Sequence, residues 1–166
     1  MNVGATLARG DILLFVHADT TLPPNALALV RDGLAATDRA WGRFDVRIAG
    51  RHPLLPVVAT LMNLRSGLTG VATGDQAIFV RRAAFDRVSG FPEIALMEDI
   101  AISAKLKRLS RPLRLRSPVV TSGRRWDENG FLKTVLLMWR LRLAYWTGAD
   151  PNELARAYGY APRTSD

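Results

Sequence analysis

One stretch near the start of the chain limits its fold more than any other. In Gly10-Asp11-Ile12-Leu13-Leu14-Phe15-Val16-His17-Ala18-Asp19-Thr20, five large apolar residues run without a break from Ile12 to Val16. Gly-Asp closes the run in front, and Thr20-Thr21-Leu22-Pro23-Pro24 follows behind. A short continuous apolar run between turn signals predicts a strand buried on both faces, as in the parallel sheet of an α/β fold. The carboxyl end of such a strand is where open α/β sheets bind ligands. His17 and Asp19 leave that end on the same side, and both are residue types that hold metals. A second reading gives Asp19 only the task of opening the turn before Pro23-Pro24 and capping the next helix. The stretch alone does not separate the two.

A length of 166 residues, 48% hydrophobic, fits a single domain over 1–166 with a core of its own. The chain has no cysteine, which excludes disulfides and thiolate metal sites. Arg9 precedes a strand-like run rather than a cleavable apolar segment, so a cytoplasmic location is expected. The net charge is +8 and the basic residues are mostly arginine, with only Lys105, Lys107 and Lys133 as lysines. Such an excess serves nucleic acid, anionic headgroups or a phosphorylated substrate, or reflects a preference for arginine codons. No helix carries regularly spaced arginines and no strand interleaves basic and aromatic residues, which argues against nucleic acid.

Taken in order, residues 1–9 read as the back half of a helix ending at Gly10. Pro23-Pro24-Asn25 introduces a helix to about Ala36, with Leu27, Val30 and Leu34 on its buried face. Trp41 to Ile48 alternates apolar and polar residues, the pattern of a half-buried strand at a sheet edge. Pro53 to Leu68 is too densely apolar for an exposed helix and is expected to pack on the sheet or on a partner. Asp75 to Val80 reads as a strand, Arg81-Arg82 opens a short helix, and Ser89-Gly90-Phe91-Pro92 breaks the chain. Met97-Glu98-Asp99 leads a helix to about Leu109, and Leu113 to Val120 forms a basic strand. Thr121 to Trp126 reads as a turn. A C-terminal helical extension occupies 129–160, its second helix capped by Asp150 with Pro151 at the first position. The tail after Tyr160 reads as loose.

The helix from about Gly130 to Thr147 is apolar around most of its circumference. Lys133 and Arg140 share one side, and Arg142 falls nearly opposite. It is too short and too charged to span a membrane. Two placements stay open: in a membrane interface, with Trp139 and Trp146 at headgroup depth, or packed on a sheet face or a neighbouring subunit.

Three acidic sites follow strands or turns: Asp19, Asp75 and Glu98-Asp99. Transfer from a nucleotide sugar needs a divalent cation to neutralise the leaving diphosphate, and His17 with Asp19 supplies donors for Mg²⁺ or Mn²⁺. It also needs a carboxylate to accept the proton of the acceptor hydroxyl, and Asp99, at the start of a helix, is the candidate for that. The alternative for Glu98-Asp99 is complementarity to the positive end of the helix. Asp75 either contacts substrate or opens a strand. Arg124-Arg125-Trp126 either grips a diphosphate with the indole on a ring, or forms a solvated basic turn.

The order of these motifs resembles a known family. Asp11 to Thr20, then Gly74-Asp75-Gln76-Ala77-Ile78-Phe79-Val80-Arg81-Arg82, then Gly90-Phe91-Pro92 and Met97-Glu98-Asp99 look like family 2 glycosyltransferases of the GT-A fold. The similarity is to a bacterial subgroup with His-Ala-Asp in place of Asp-x-Asp, and it runs from residue 1 to about 159. It implies a three-layer sandwich of a mixed sheet flanked by helices, and inverting transfer from a nucleotide-diphosphate sugar to an unspecified acceptor. Asp19 and His17 would sit at the metal, Asp99 would be the base, and Gly74, Asp75, Gln76, Glu98, Arg124, Arg125 and Trp126 would lie near substrate.

Two departures stand out. His17 replaces the first acid of the motif, and Ser122 stands where processive members carry Gln. Family members also begin with a strand-helix-strand unit ahead of the segment found here at residues 2–5. That leads to the expectation of an N-terminally truncated domain with an open sheet edge, prone to self-association as a homo-oligomer. A non-catalytic GT-A-like module, peripheral to the inner face of the membrane, is the competing reading.

Overall fold

The sheet is built on a strand the alternation assigns to an edge. A computed structural model of the chain describes residues 1–160, so the tail after Tyr160 lies outside the described residues. Strand β3 (Trp41–Ala49) occupies the middle of a five-stranded mixed sheet ordered β1-β4-β3-β5-β2. Its neighbours are β4 (Phe79–Arg81), antiparallel, and β5 (Leu113–Ser122), parallel. Strands β1 (Ile12–Leu14) and β2 (Thr20–Thr21) close the two sides, each antiparallel to its partner.

The alternation in β3 misleads because its polar residues satisfy one another inside the protein. Arg43 is fully buried and pairs with Asp45. Asp45 also accepts a two-pronged contact from Arg114, with Nε and Nη2 both at 2.9 Å. A buried charge is tolerated only when paired in this way. Register slips between Phe44 and Asp45, where the partner passes from Leu115 to Pro118. Proline at such an irregularity forfeits no ladder bond.

The first strand also departs from expectation. It is an antiparallel edge strand rather than an interior parallel one, only Leu13 of its three residues is fully buried, and Val16 beyond it is exposed. Its apolar run is explained by two separate cores. Leu13, Val80 and Trp41 point to one face of the sheet, while Ile12, Leu14, Phe79, Phe44 and Val46 point to the other, as the period of two requires.

Helices cover both faces. On one, α4 (Arg82–Arg87) and α5 (Glu98–Leu106) supply Ala84, Phe85, Ile102 and Leu106, joined by Ala5 of α1 (Asn2–Leu7). On the other, α2 (Ala26–Ala35) inserts Ala26, Val30 and Leu34. Leu27, expected on that buried face, is 73% exposed, because the face is set by the 26-30-34 row and Leu27 falls off it.

A third cluster joins Val71, Met97 and Ile100 to Leu141 of α7 (Phe131–Trp146) and Leu154 of α8 (Pro151–Tyr158). The long helix thus packs on the domain through one side. Asp150 caps α8 as expected, accepting from Asn152 N–H at 2.9 Å. Arg124 to Asn129, read as a turn in its first residues, forms a short helix α6. Among the described residues no helix is long and apolar enough to cross a membrane.

Candidate functional site

Gly74 is where the separate motifs meet. It opens a 3-10 turn (Gly74–Gln76) that precedes β4. Its backbone N–H donates to Asp99 Oδ2 at 2.8 Å. Its Cα lies against the His17 imidazole so closely that a Cβ would fall well under 3.0 Å from Nε2 and Cε1. Only glycine lets the ring in. His17, Asp75 and Asp99, far apart in sequence, therefore meet at one turn.

Each side chain is placed by a specific local device. After β1, Phe15 N–H bonds to Ile78 O at 2.8 Å, and the chain then crosses the sheet end to β2. Thr20 pairs with Thr121, their hydroxyls 3.3 Å apart, which carries the His17-Ala18-Asp19 loop over the end of β5. His17 Nδ1 lies 3.7 Å from Asp75 Oδ1. The same oxygen accepts from the Thr121 hydroxyl at 3.3 Å. Asp99 occupies the first turn of α5, where its other oxygen accepts from Ile100 N–H at 2.7 Å.

The electrostatics follow from this crowding. The adjacent Asp75 carboxylate raises the His17 pKa against an opposing effect of burial, and the charges of Asp99 and Asp19 raise it further. Burial holds the Asp99 carboxyl above the usual carboxylate range, although the Gly74 and Ile100 amides favour its charged form. Burial also raises Glu98, with the neighbouring Asp99 charge adding to it.

Two basic residues that the motifs do not mark complete the site. Arg142 of α7 has its pKa lowered by burial and feels the opposite charges of Asp99 and Asp75. Arg65 of α3 (Leu55–Thr69) is lowered to about 10, first by burial and then by the nearby Arg142 charge. Its Nε and Nη2 are buried without a hydrogen-bond partner among the described residues. Signals for both existed in the sequence. Arg65 is the one charged residue in an apolar helix, and Arg142 lies on the side of its helix away from Lys133 and Arg140.

The other expected site residues divide. Arg125 stacks on the Tyr158 ring at 3.9 Å and donates to Tyr158 O at 3.2 Å, and Tyr158 feels the Asp75 and Asp99 charges. Arg124 is exposed and faces Glu128 at 3.9 Å. Trp126 packs towards Phe131, with centroids 5.7 Å apart. Gln76 is fully buried, its amide spent on Thr73 N–H and Asn63 Oδ1, so it holds the turn in shape. Asn63 in turn takes the place of a strand neighbour, bonding both N–H and C=O of Val46.

Two surface cavities, of about 280 and 720 Å³, lie beside β3 and α3 and are lined by neither His17, Asp75 nor Asp99. Among the described residues no three His, Asp or Glu side chains gather tightly enough to hold a metal by themselves. No family model matches the sequence, and no solved structure matches it significantly.

Proposed function

We propose that the chain is a family 2-like glycosyltransferase of GT-A architecture, inverting and dependent on Mg²⁺ or Mn²⁺. The observation that carries the reading is the convergence on Gly74: one turn presents the Gly74 N–H to Asp99, the Gly74 Cα to the His17 ring and the side chain of its next residue, Asp75, to His17 Nδ1. A helix cap or a turn opener needs no such meeting of distant segments.

Asp19 and His17 fit a divalent cation as a two-donor set, one carboxylate and one imidazole on an exposed loop. Hard cations of this kind keep several water or phosphate oxygens, so two protein donors suffice. The bound cation supplies charge neutralisation for the leaving diphosphate. His17 must shed its proton to serve, in competition with its contact to Asp75. Arg65 and Arg142 add fixed positive charge in a water-poor setting, where it acts strongly on a developing anion.

Asp99 is the general base. Burial raises its proton affinity, which suits a carboxylate that must take a proton in the transition state. As the acceptor oxygen bonds to the anomeric carbon, its proton passes to Asp99. The bond from that carbon to the diphosphate oxygen breaks on the opposite face, and its electron pair leaves with the diphosphate. The Gly74 and Ile100 amides fix the carboxylate for this step.

The test is Mn²⁺-dependent release of nucleoside diphosphate from a panel of nucleotide sugars, with Asp19→Asn and Asp99→Asn as controls. Donor turnover lost in both variants, with donor binding retained in Asp99→Asn, is expected. No turnover of any donor by folded protein, or full activity in Asp99→Asn, refutes the assignment.

A further inference from the structure

Two helices leave their apolar residues in water. On α3, Val57, Leu61, Leu64 and Leu68 are each between 52% and 70% exposed. On α7, Leu132, Leu136, Trp139, Leu143 and Trp146 are each between 68% and 72% exposed. Both rows step by four and three residues, so each forms a stripe no more than about 80° wide on its helix. Ala59 and Ser66 of α3, and Thr134 and Leu141 of α7, are buried and lie opposite the stripes. The stripes are therefore not a misplaced core, since each helix already packs through its other side.

The two stripes lie on neighbouring helices. His52, just ahead of α3, stacks on Phe131 at the start of α7 with centroids 4.2 Å apart. Leu141, beyond the midpoint of α7, shares a core cluster with Val71, two residues past the end of α3. The helices thus run side by side in the same direction. With the Ala59-Ser66 and Thr134-Leu141 rows turned inward, both stripes point outward. Nine large apolar side chains are thus exposed on the two helices, well beyond the scattered exposure normal for a soluble domain.

We propose that this α3/α7 face docks in the plane of an anionic lipid bilayer. The charge pattern selects that occupant over a second copy of the chain. Neither helix contains an aspartate or glutamate. Lys133 and Arg140 flank the α7 stripe on one side, and a two-fold pairing of the face would bury or crowd these cations with no carboxylate on either helix to meet them. Lipid phosphates meet them directly. Trp139 and Trp146 carry the indole rings that favour the headgroup boundary. The sixteen residues of α7 span about 24 Å, suited to lying in the interface, and no described helix is able to cross it.

The test is co-flotation of the full chain with vesicles of phosphatidylcholine containing phosphatidylglycerol, and with phosphatidylcholine alone. Binding to the anionic vesicles is expected, with a blue shift of tryptophan emission and roughly tenfold weaker association at high salt or on neutral vesicles. The exposed substitutions Leu136→Glu with Leu143→Glu should abolish flotation with the circular dichroism spectrum unchanged, and Lys133→Glu with Arg140→Glu should remove the preference for anionic lipid. Failure to float with anionic vesicles overturns the proposal, as does flotation that survives Leu136→Glu/Leu143→Glu. Sedimentation of a lipid-free dimer that those substitutions disperse would give the face to a second copy and overturn it too. None of these readouts depends on sugar transfer.

Discussion

Replacing Gly74 with alanine tests the centre of the site with the smallest chemical change. The new Cβ would lie under 3.0 Å from two atoms of the His17 ring, a distance that atoms do not hold, so something must move. Forcing a methyl into a rigid core costs about 1–3 kcal/mol. Here the obstructing group is the end of a side chain that is 43% exposed, free to swing towards solvent. The stability cost therefore falls at the low end, about 1 kcal/mol, or roughly 0.5 M in urea midpoint for an m-value of ~2 kcal/mol/M. The site pays more than the fold. Once swung out, His17 loses Asp75, the largest cause of its raised pKa, so that pKa must drop. The chain has only two histidines, so His52 is an internal control in an NMR titration of the metal-free protein. A His17 pKa unchanged in Gly74→Ala, at unchanged stability, refutes the packing of the ring on Gly74. A histidine whose folded pKa is raised contributes stability fully present below its unfolded pKa and lost as pH rises through the folded value.

Asp99→Asn keeps an oxygen for the Gly74 N–H but removes a buried charge. Because burial raises the folded pKa, wild-type stability is full below the unfolded value and declines as pH rises through the folded one. Urea unfolding should find the two proteins equal at acid pH and the variant at least as stable at neutral pH; a variant less stable at every pH refutes this. Arg142→Gln should weaken binding of a turned-over nucleotide sugar by roughly 10–100-fold, the scale of one charge-assisted contact, and unchanged affinity in an equilibrium binding assay would remove Arg142 from the site. Asp45→Ala strands the fully buried Arg43 and should cost about 3–5 kcal/mol in urea unfolding; a loss under 1 kcal/mol would mean that Arg43 is paired by other means.

Much of the local structure was legible because it depends on near neighbours along the chain. The positions of most helices, the Asp150 cap with Pro151, and the break at Ser89-Gly90 follow from turn and capping chemistry within a few residues. The acidic motifs were also legible as candidates, although not as a site. Their meeting depends on Gly74 accepting a ring from residue 17 and a carboxylate from residue 99, and no local pattern encodes that. The roles of Arg65 and Arg142 were hidden for a related reason: an arginine on an apolar helix gives no sign of which charges it will face.

What the sequence by itself determined is a mixed α/β chain with His17, Asp19, Asp75, Glu98 and Asp99 at strand and helix ends, because periodicity and turn residues act locally. Only the tertiary structure decided which strand lies at the centre. Arg43 and Asp45 of β3 are buried since they and Arg114 neutralise one another across two strands, and the apolar run of β1 lies at an edge since each of its faces meets a different core. It also decided that α3 and α7 turn apolar stripes to the outside. Hydrophobicity along a helix records that a face avoids water, whereas the packing of its opposite side determines whether the protein itself provides the cover.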